Sequence, residues 1–357
     1  MAILAILLRG FVALGVDRVL EDFLQTAMGD ETLVAATVLS QSSLLMATAG
    51  DSEPPEPAIS EPPNEPVFSD DTETAAVETA ASEPPEQELP IYRPRRVDRS
   101  PTVTIRGDDR APNAAGVYVR NHTTYQIDVK ALLATPLSFD PSDGGRPTVL
   151  ILHTHGTESF EPDGDDWYDN VDNYRTTDPN LNITRVGREI AAIFETRGIH
   201  VLHNQELHDY PSFQGSYSRS LATAQRYLAA YPEIQIVIDI HRDAIINSAG
   251  QYVRTMAEIE GLESAQVMLL VGTDHAGLYH PGWRDNLAFA LRLQAAMVER
   301  YPTLARPLAL REERFNAHLA PGAILVEIGT CANTLQEALT AGRLFAEVAA
   351  DVILGKG

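Results

Sequence analysis

Three short stretches of this 357-residue sequence hold side chains able to ligate a cation and move protons. His153-Thr154-His155-Gly156-Thr157-Glu158 follows the apolar run 149–152. Asp239-Ile240-His241-Arg242-Asp243 closes a run that begins at Ile234, and Glu327 interrupts the run 323–328. His155 and Glu158, spaced three apart just past a strand, can reach one ion, and His241 from a second strand end can supply a third ligand. Two imidazoles and a carboxylate suit Zn²⁺ and leave a fourth position for water, as catalytic zinc sites require. His153, two residues before His155, shares its side of the strand if the strand continues, and is the alternate ligand. Asp239 or Asp243 can orient His241 by accepting its other ring proton.

Glu327 follows an apolar run, where a partly desolvated carboxyl near a metal would have a raised pKa suited to passing protons. Its plainer role is capping or pairing with Arg242. Arg242 is a candidate for stabilising oxyanion charge or for pairing with a peptide carboxylate. Asn316 and His318, just upstream of the Glu327 strand, either contact substrate or shape their loop. Cys331 has no partner set that would activate a thiol and reads as a small packed residue. His200, His203, His208, His275 and His280 read as surface or loop positions. A lone strand-end histidine is more often a structural hydrogen-bonding group. Three polar strand ends in one chain are what raise a metal hydrolase to equal standing with a satisfied polar network.

The elements that must hold these residues follow from periodicity. Apolar runs at 149–152, 199–202, 234–240, 267–271 and 323–328 read as strands. Amphipathic helices fall between them: one begins near Ile183 and ends before Gly198, and the others span roughly 216–230, 286–301 and 334–354. Apolar strands alternating with amphipathic helices predict an α/β domain over 148–357, a mostly parallel sheet with helices on both faces. In such sheets ligands bind at the carboxyl ends of strands. Residues 93–147 read as a small β-containing lead-in, with short strands at 102–105 and 117–119.

The formal charge is −23, from 27 Lys plus Arg against 50 Asp plus Glu. That argues against broad binding to nucleic acid or anionic lipid, which needs a basic surface. Residues 51–92 hold twelve of the acidic residues and nine prolines, with no Lys or Arg, in Glu-Pro-Pro repeats. Such a stretch predicts a disordered, extended linker that spans on the order of 130 Å at its proline-rich limit. Without it the balance is 27 against 38, a formal −11. Residues 1–50 open with an apolar segment broken by Arg9 and Asp17. It reads as a membrane-associated or partner-binding amphipathic helix, or as a misplaced start site. One cysteine excludes an intrachain disulfide framework.

Six ordered motifs carry a resemblance. They are 153–159 (His-Thr-His-Gly-Thr-Glu-Ser), 238–244 (Ile-Asp-Ile-His-Arg-Asp-Ala), 271–274 (Val-Gly-Thr-Asp), 283–290 (Trp-Arg-Asp-Asn-Leu-Ala-Phe-Ala), 316–322 (Asn-Ala-His-Leu-Ala-Pro-Gly) and 325–329 (Leu-Val-Glu-Ile-Gly) with 333–338 behind it. Together, over about residues 118–345, they resemble the stage II sporulation protein P family, peptidoglycan hydrolases of endospore-forming bacteria. The resemblance implies a fold similar to zinc-dependent N-acetylmuramoyl-L-alanine amidases. It also implies a membrane-tethered, extracytoplasmic protein facing the intermembrane space during engulfment, with stage II sporulation protein D as partner. Family members cut both the muramoyl–L-alanine amide and peptide cross-links. By motif, the metal ligands carry over to His155, Glu158 and His241, and the catalytic acid to Glu327. Two departures stand out: no clear N-terminal span, and Gly329-Thr330-Cys331-Ala332 in place of a stretch richer in glycine and asparagine. The rivals are a metallopeptidase specific for the cross-link and a catalytically silent wall-binding or scaffold protein on the same fold.

Overall fold

The computed structural model describes residues 36–37, 100–107, 113–114, 116–139, 147–170 and 172–356. The acidic linker 51–92 and, apart from 36–37, the N-terminal region 1–50 lie outside the described residues. So do 93–99 of the lead-in.

Eight strands form the main sheet: β3 (Asn113–Ala114), β4 (Val117–Asn121), β5 (Pro147–Leu152), β6 (His200–His203), β7 (Ile236–Asp243), β11 (Val267–Gly272), β12 (Leu308–Arg311) and β13 (Gly322–Thr330). The rest are short: β1 (Ala36–Thr37) against β8 (Ile245–Ile246), and β2 (Thr102–Val103) beside the hairpin β9 (Arg254–Ile259) and β10 (Leu262–Ala265). Among the described residues the α-helices are α1 (Val129–Ala134), α2 (Ile183–Thr196), α3 (Ser216–Ala230), α4 (Trp283–Arg300) and α5 (Leu335–Ile353). Sheet order is β3-β4-β12-β11-β13-β7-β5-β6. Five of its seven pairings are parallel; β3–β4 and β11–β13 are antiparallel. The sheet is therefore mostly parallel, as the alternating pattern predicts, with one reversal at its centre. Among the described residues no helix is long and apolar enough to cross a membrane.

Local chemistry sets the helix ends. The Asn182 side chain accepts from the Thr184 N–H to cap α2, and Thr334 with Glu337 forms a reciprocal capping box on α5. Gly198 leaves α2 at a φ of 83°, a conformation that favours glycine. α2, α4 and α5 bury Ile190, Phe194, Leu287, Phe289, Phe345 and Ala346 against Ile151, Ile238, Ile240, Ile324, Val326 and Ile328 on one face of the sheet. α3 covers the other face at Leu150, Leu152, Val237 and Ala323.

This layering decides where the polar residues of β7 point. Side chains alternate along a strand. With Ile238 and Ile240 in the large core, Asp239, His241 and Asp243 project to the opposite face. β13 runs parallel in register, pairing Leu325 with Asp239 and Glu327 with His241. Glu327 and His241 are thus placed side by side by two apolar strands.

The stretch expected to precede the main domain is built into it. β4 pairs with β12 inside the sheet, and β2 pairs with β9. The β9–β10 hairpin was not foreseen. Its loop is Glu260-Gly261, with Gly261 at a φ of 73°, the glycine-containing two-residue turn that hairpins favour.

Gly187 in the middle of α2 exposes how tightly this helix is seated. A Cβ there would lie 2.6 Å from His153 Nε2 and 2.7 Å from His203 Nε2. Helix propensity alone favours Gly→Ala by about 1 kcal/mol. Gly187→Ala is instead expected to destabilise by about 1–3 kcal/mol through overpacking, measured as the urea-unfolding midpoint. A raised midpoint would contradict this packing.

Candidate metal centre

β5 ends at Leu152, and the chain then turns, so alternation does not continue to residue 155. This separates the two histidines of the first motif. His155 turns toward β7: its ring meets that of His241 edge-on at 5.2 Å and stacks on Phe213 at 4.4 Å. His153 turns into the core beneath α2, with Nδ1 3.0 Å from the Ile240 carbonyl and Nε2 2.9 Å from His203 Nε2. His153 as alternate ligand is corrected on that ground: both its ring nitrogens are engaged away from the cluster. Among the five histidines expected at surface or loop positions, His208 is buried, bonding to the His153 carbonyl and Thr223, and His280 is buried as well.

Glu158 reaches back to β7. Its Oε2 accepts from the Arg242 backbone N–H at 3.1 Å and lies 3.5 Å from His241 Nδ1. His241 Nε2 is 3.0 Å from Asp239 Oδ1. Asp239 in turn accepts from the Thr154 N–H at 2.8 Å and from its hydroxyl at 2.6 Å. Of the two aspartates considered as orienting partners, the structure selects Asp239. Asp243 pairs with Arg306 at 2.7 Å.

The electrostatics follow from this placement. Burial pushes His155 down to about 3, so its ring is neutral. Burial also opposes charge on His241, but Asp239 and then Glu158 hold its pKa well above the usual value. Burial alone would raise Glu158; the Arg242 guanidinium, then His241 and His155, keep it below the ordinary carboxylate range. Glu327 goes the other way: burial, and then the charge of Asp243, push it up to about 8. Two carboxyl groups in one cluster are driven apart, one held ionised and one holding its proton, a pattern associated with acid–base sites. Burial pushes the Cys331 thiol up to about 12, in keeping with a packed residue.

Arg242 is corrected too. Its Nε donates to the Ser159 carbonyl at 2.9 Å, one Nη to Tyr174 at 3.0 Å, and the other lies 3.5 Å from Glu158. The guanidinium is buried and committed to holding Glu158 and its loop, because residue 242 falls on the helix-covered side of β7. It is a clamp here, not the oxyanion donor expected. The Asn316 amide donates to the Tyr217 carbonyl at 2.9 Å and fastens its loop to α3. His318 lies against His280, ring centroids 6.4 Å apart. Asn316 also reaches Ser220 Oγ at 3.3 Å, and Ser220 touches the Thr154 hydroxyl that binds Asp239, so Asn316 meets the edge of the network without touching a proposed ligand.

Sequence reasoning missed Arg175, Asp209, Phe213 and Tyr217, which surround His155. Asp209 accepts from the Thr157 hydroxyl and from Arg175, both at 2.6 Å. Tyr217 meets the His155 ring edge-on at 5.5 Å. All four come from loops or a helix end with no motif spacing to betray them.

Among the described residues, no three His, Cys, Asp or Glu side chains stand as they are in a geometry that would hold a metal ion. The charges neutralise one another instead, with His241 between Asp239 and Glu158. The donor set nevertheless fits zinc by kind. A carboxylate stands behind one nitrogen of each imidazole, as in zinc-ligating histidines, and Glu327 Oε2 is buried without a hydrogen-bond partner.

A model of the stage II sporulation protein P (SpoIIP) family matches residues 41–350. The stage II sporulation protein P of Bacillus subtilis (strain 168) is 28% identical over 224 residues, 57% of this chain and 51% of that protein. The chain thus spans about half the length of the curated relative it matches. Among solved structures, N-acetylmuramoyl-L-alanine amidase AmiC2 of Nostoc punctiforme is similar at a TM-score of 0.33 and 16% identity, over 59% of this chain and 97% of that one. The CwlD amidase from Clostridioides difficile, in complex with the GerS lipoprotein, is similar at a TM-score of 0.34 and 12% identity, over 59% and 100%.

The Glu327 carboxyl makes a measurable demand on the metal-free fold. It holds its proton to about pH 8 when native and ionises near its ordinary 4.5 when unfolded. Between those values the native state binds more protons, so stability falls as pH rises through that window. Glu327→Gln removes this loss. The variant is expected to exceed the wild type by on the order of a few kcal/mol at pH 8, with little gain at pH 4.5, by chemical denaturation. An equal offset at both pH values would contradict the assignment.

Proposed function

Since the chain belongs to the stage II sporulation protein P family, we propose that it is a zinc-dependent peptidoglycan hydrolase acting in endospore engulfment. Its bond is the N-acetylmuramoyl–L-alanine amide, with peptide cross-links as a second class. The observation that carries this reading is the register of β13 on β7, which sets Glu327 beside His241 while His155 and Glu158 close on the same imidazole.

A zinc ion held by His155, Glu158 and His241 would supply Lewis acidity, lowering the pKa of water and polarising the amide carbonyl. The chain's own residues do the rest. Asp239, 3.0 Å from Nε2 of His241, favours the proton there by its charge and leaves the Nδ1 lone pair toward Glu158. Arg242 fixes the Glu158 carboxylate from behind. Glu327, with Oε2 free of hydrogen bonds and a pKa pushed up to about 8, holds a proton that it can deliver to the leaving amine and, once ionised, can take a proton back from water. Phe213 and Tyr217 wall the His155 ring and keep bulk water from it. The substrate partner is peptidoglycan and the protein partner stage II sporulation protein D. The chain acts on the extracytoplasmic side, in the intermembrane space of the sporulating cell, with its N-terminal apolar segment associated with a membrane.

The test is mass spectrometry of fragments released from purified peptidoglycan by the full chain, alone and with the partner protein. Free stem peptides should appear, vanish on chelation and return with Zn²⁺. Glu327→Gln should lower the release by about 10²-fold or more. Release that survives both chelation and Glu327→Gln would contradict the mechanism. No release, with wall binding undiminished by Glu327→Gln, would support a silent binding protein instead.

A further inference from the structure

Two of the proposed ligands share a support that none of the sequence motifs contains. Arg175 places Nη1 2.6 Å from Asp209 Oδ2 and Nη2 3.8 Å from Glu158 Oε1. Its guanidinium sits 4.7 Å from the centre of the Phe213 ring, which stacks on His155. One cation therefore braces Glu158 directly and His155 through two neighbours.

Asp209 is the nearer of those neighbours in charge. Its side chain is fully buried, and its carboxylate accepts from both the N–H and the hydroxyl of Thr157, which lies between His155 and Glu158 in the chain. It thus ties down the turn that carries both ligands. Its Oδ2 lies 4.0 Å from His155 Nδ1, a buried nitrogen with no hydrogen-bond partner. That distance exceeds a hydrogen bond, so the contact acts through charge. A carboxylate beside one ring nitrogen favours the tautomer with the proton there and leaves the lone pair on the other. Asp239 stands to His241 in the same way, 3.0 Å from Nε2. The two imidazoles are backed by separate carboxylates, one from the neighbouring position on β7 and one from a distant loop.

We propose that Asp209, held by Arg175, is a positioning residue that keeps the His155 proton on Nδ1 and presents Nε2 to the metal. This rests on the reading of His155 as a ligand. It distinguishes Asp209 from a loop staple, which would matter for folding alone.

The experiment measures Zn²⁺ affinity of the metal-free full chain by competition with a chromophoric chelator, together with the visible spectrum of the Co²⁺-loaded protein. Unfolding midpoints are taken without metal. Asp209→Asn preserves shape and removes the charge. Its affinity should fall 10- to 100-fold, the usual consequence of losing such a partner, and its Co²⁺ bands should shift. Arg175→Lys keeps a cation that cannot span two carboxylates and should weaken binding severalfold; it carries the test if Asp209→Asn does not fold. Wild-type affinity and unchanged Co²⁺ bands in a folded variant, whatever its midpoint, would overturn the proposal. If the wild type itself binds neither ion, the metal reading falls and this proposal with it. If the wild type binds zinc but releases no peptide, the proposed reaction falls, while the affinities of Asp209→Asn and Arg175→Lys still decide this proposal.

Discussion

An imidazole between two buried carboxylates governs this site: His241 lies 3.0 Å from Asp239 and 3.5 Å from Glu158. Burying these charges is costly unless each is paired and hydrogen-bonded. The surrounding structure meets that demand residue by residue. Thr154 gives Asp239 two hydrogen bonds, and Arg242 gives Glu158 a backbone N–H with its guanidinium alongside. Arg306 answers Asp243. Each of these partners comes from, or packs against, the end of β7, so the strand's last turn of polar residues is held as one network. Glu327 is the exception. It faces the same network across the β7–β13 register and is left with an unpartnered oxygen and a retained proton.

The apolar framework makes that network possible by leaving it nothing else to do. Three helices bury the Ile238–Ile240 side of the sheet, and α3 covers the other face farther down the strands. The reversal at β11 is compatible with this. It changes strand direction next to β13 without altering which face Glu327 occupies, because alternation is a property of each strand.

Much of the framework was legible because its signals are local. The helices that stop at Gly198, Pro232 and Pro302 and the strands read at 149–152, 234–240 and 323–328 follow from period and from those stops. The pairing of His155, Glu158, His241 and Glu327 was legible as well, since each ends or interrupts an apolar run. What failed to show depends on where the chain turns. His153 points into the core with Ile151, while His155 reaches the cluster only because β5 stops at Leu152, and Arg242 became a clamp because its parity puts it on the Ile238–Ile240 side of β7. Arg175, Asp209 and Phe213 lie in loops, where side-chain direction is fixed by tertiary contacts and no period reports it. The β9–β10 hairpin was hidden in the same manner, its one signal being Glu260-Gly261.

The account depends most on the claim that His155, Glu158 and His241 can gather around one zinc ion. X-ray absorption at the zinc edge of the loaded, full-length protein tests it directly. The prediction is one zinc per chain with a first shell of two imidazole nitrogens and carboxylate or water oxygen at about 2.0–2.2 Å. Substituting His241 by alanine should remove one imidazole from that shell. A sulfur neighbour at about 2.3 Å, or an imidazole count unchanged by that substitution, would place the ion elsewhere and contradict the account.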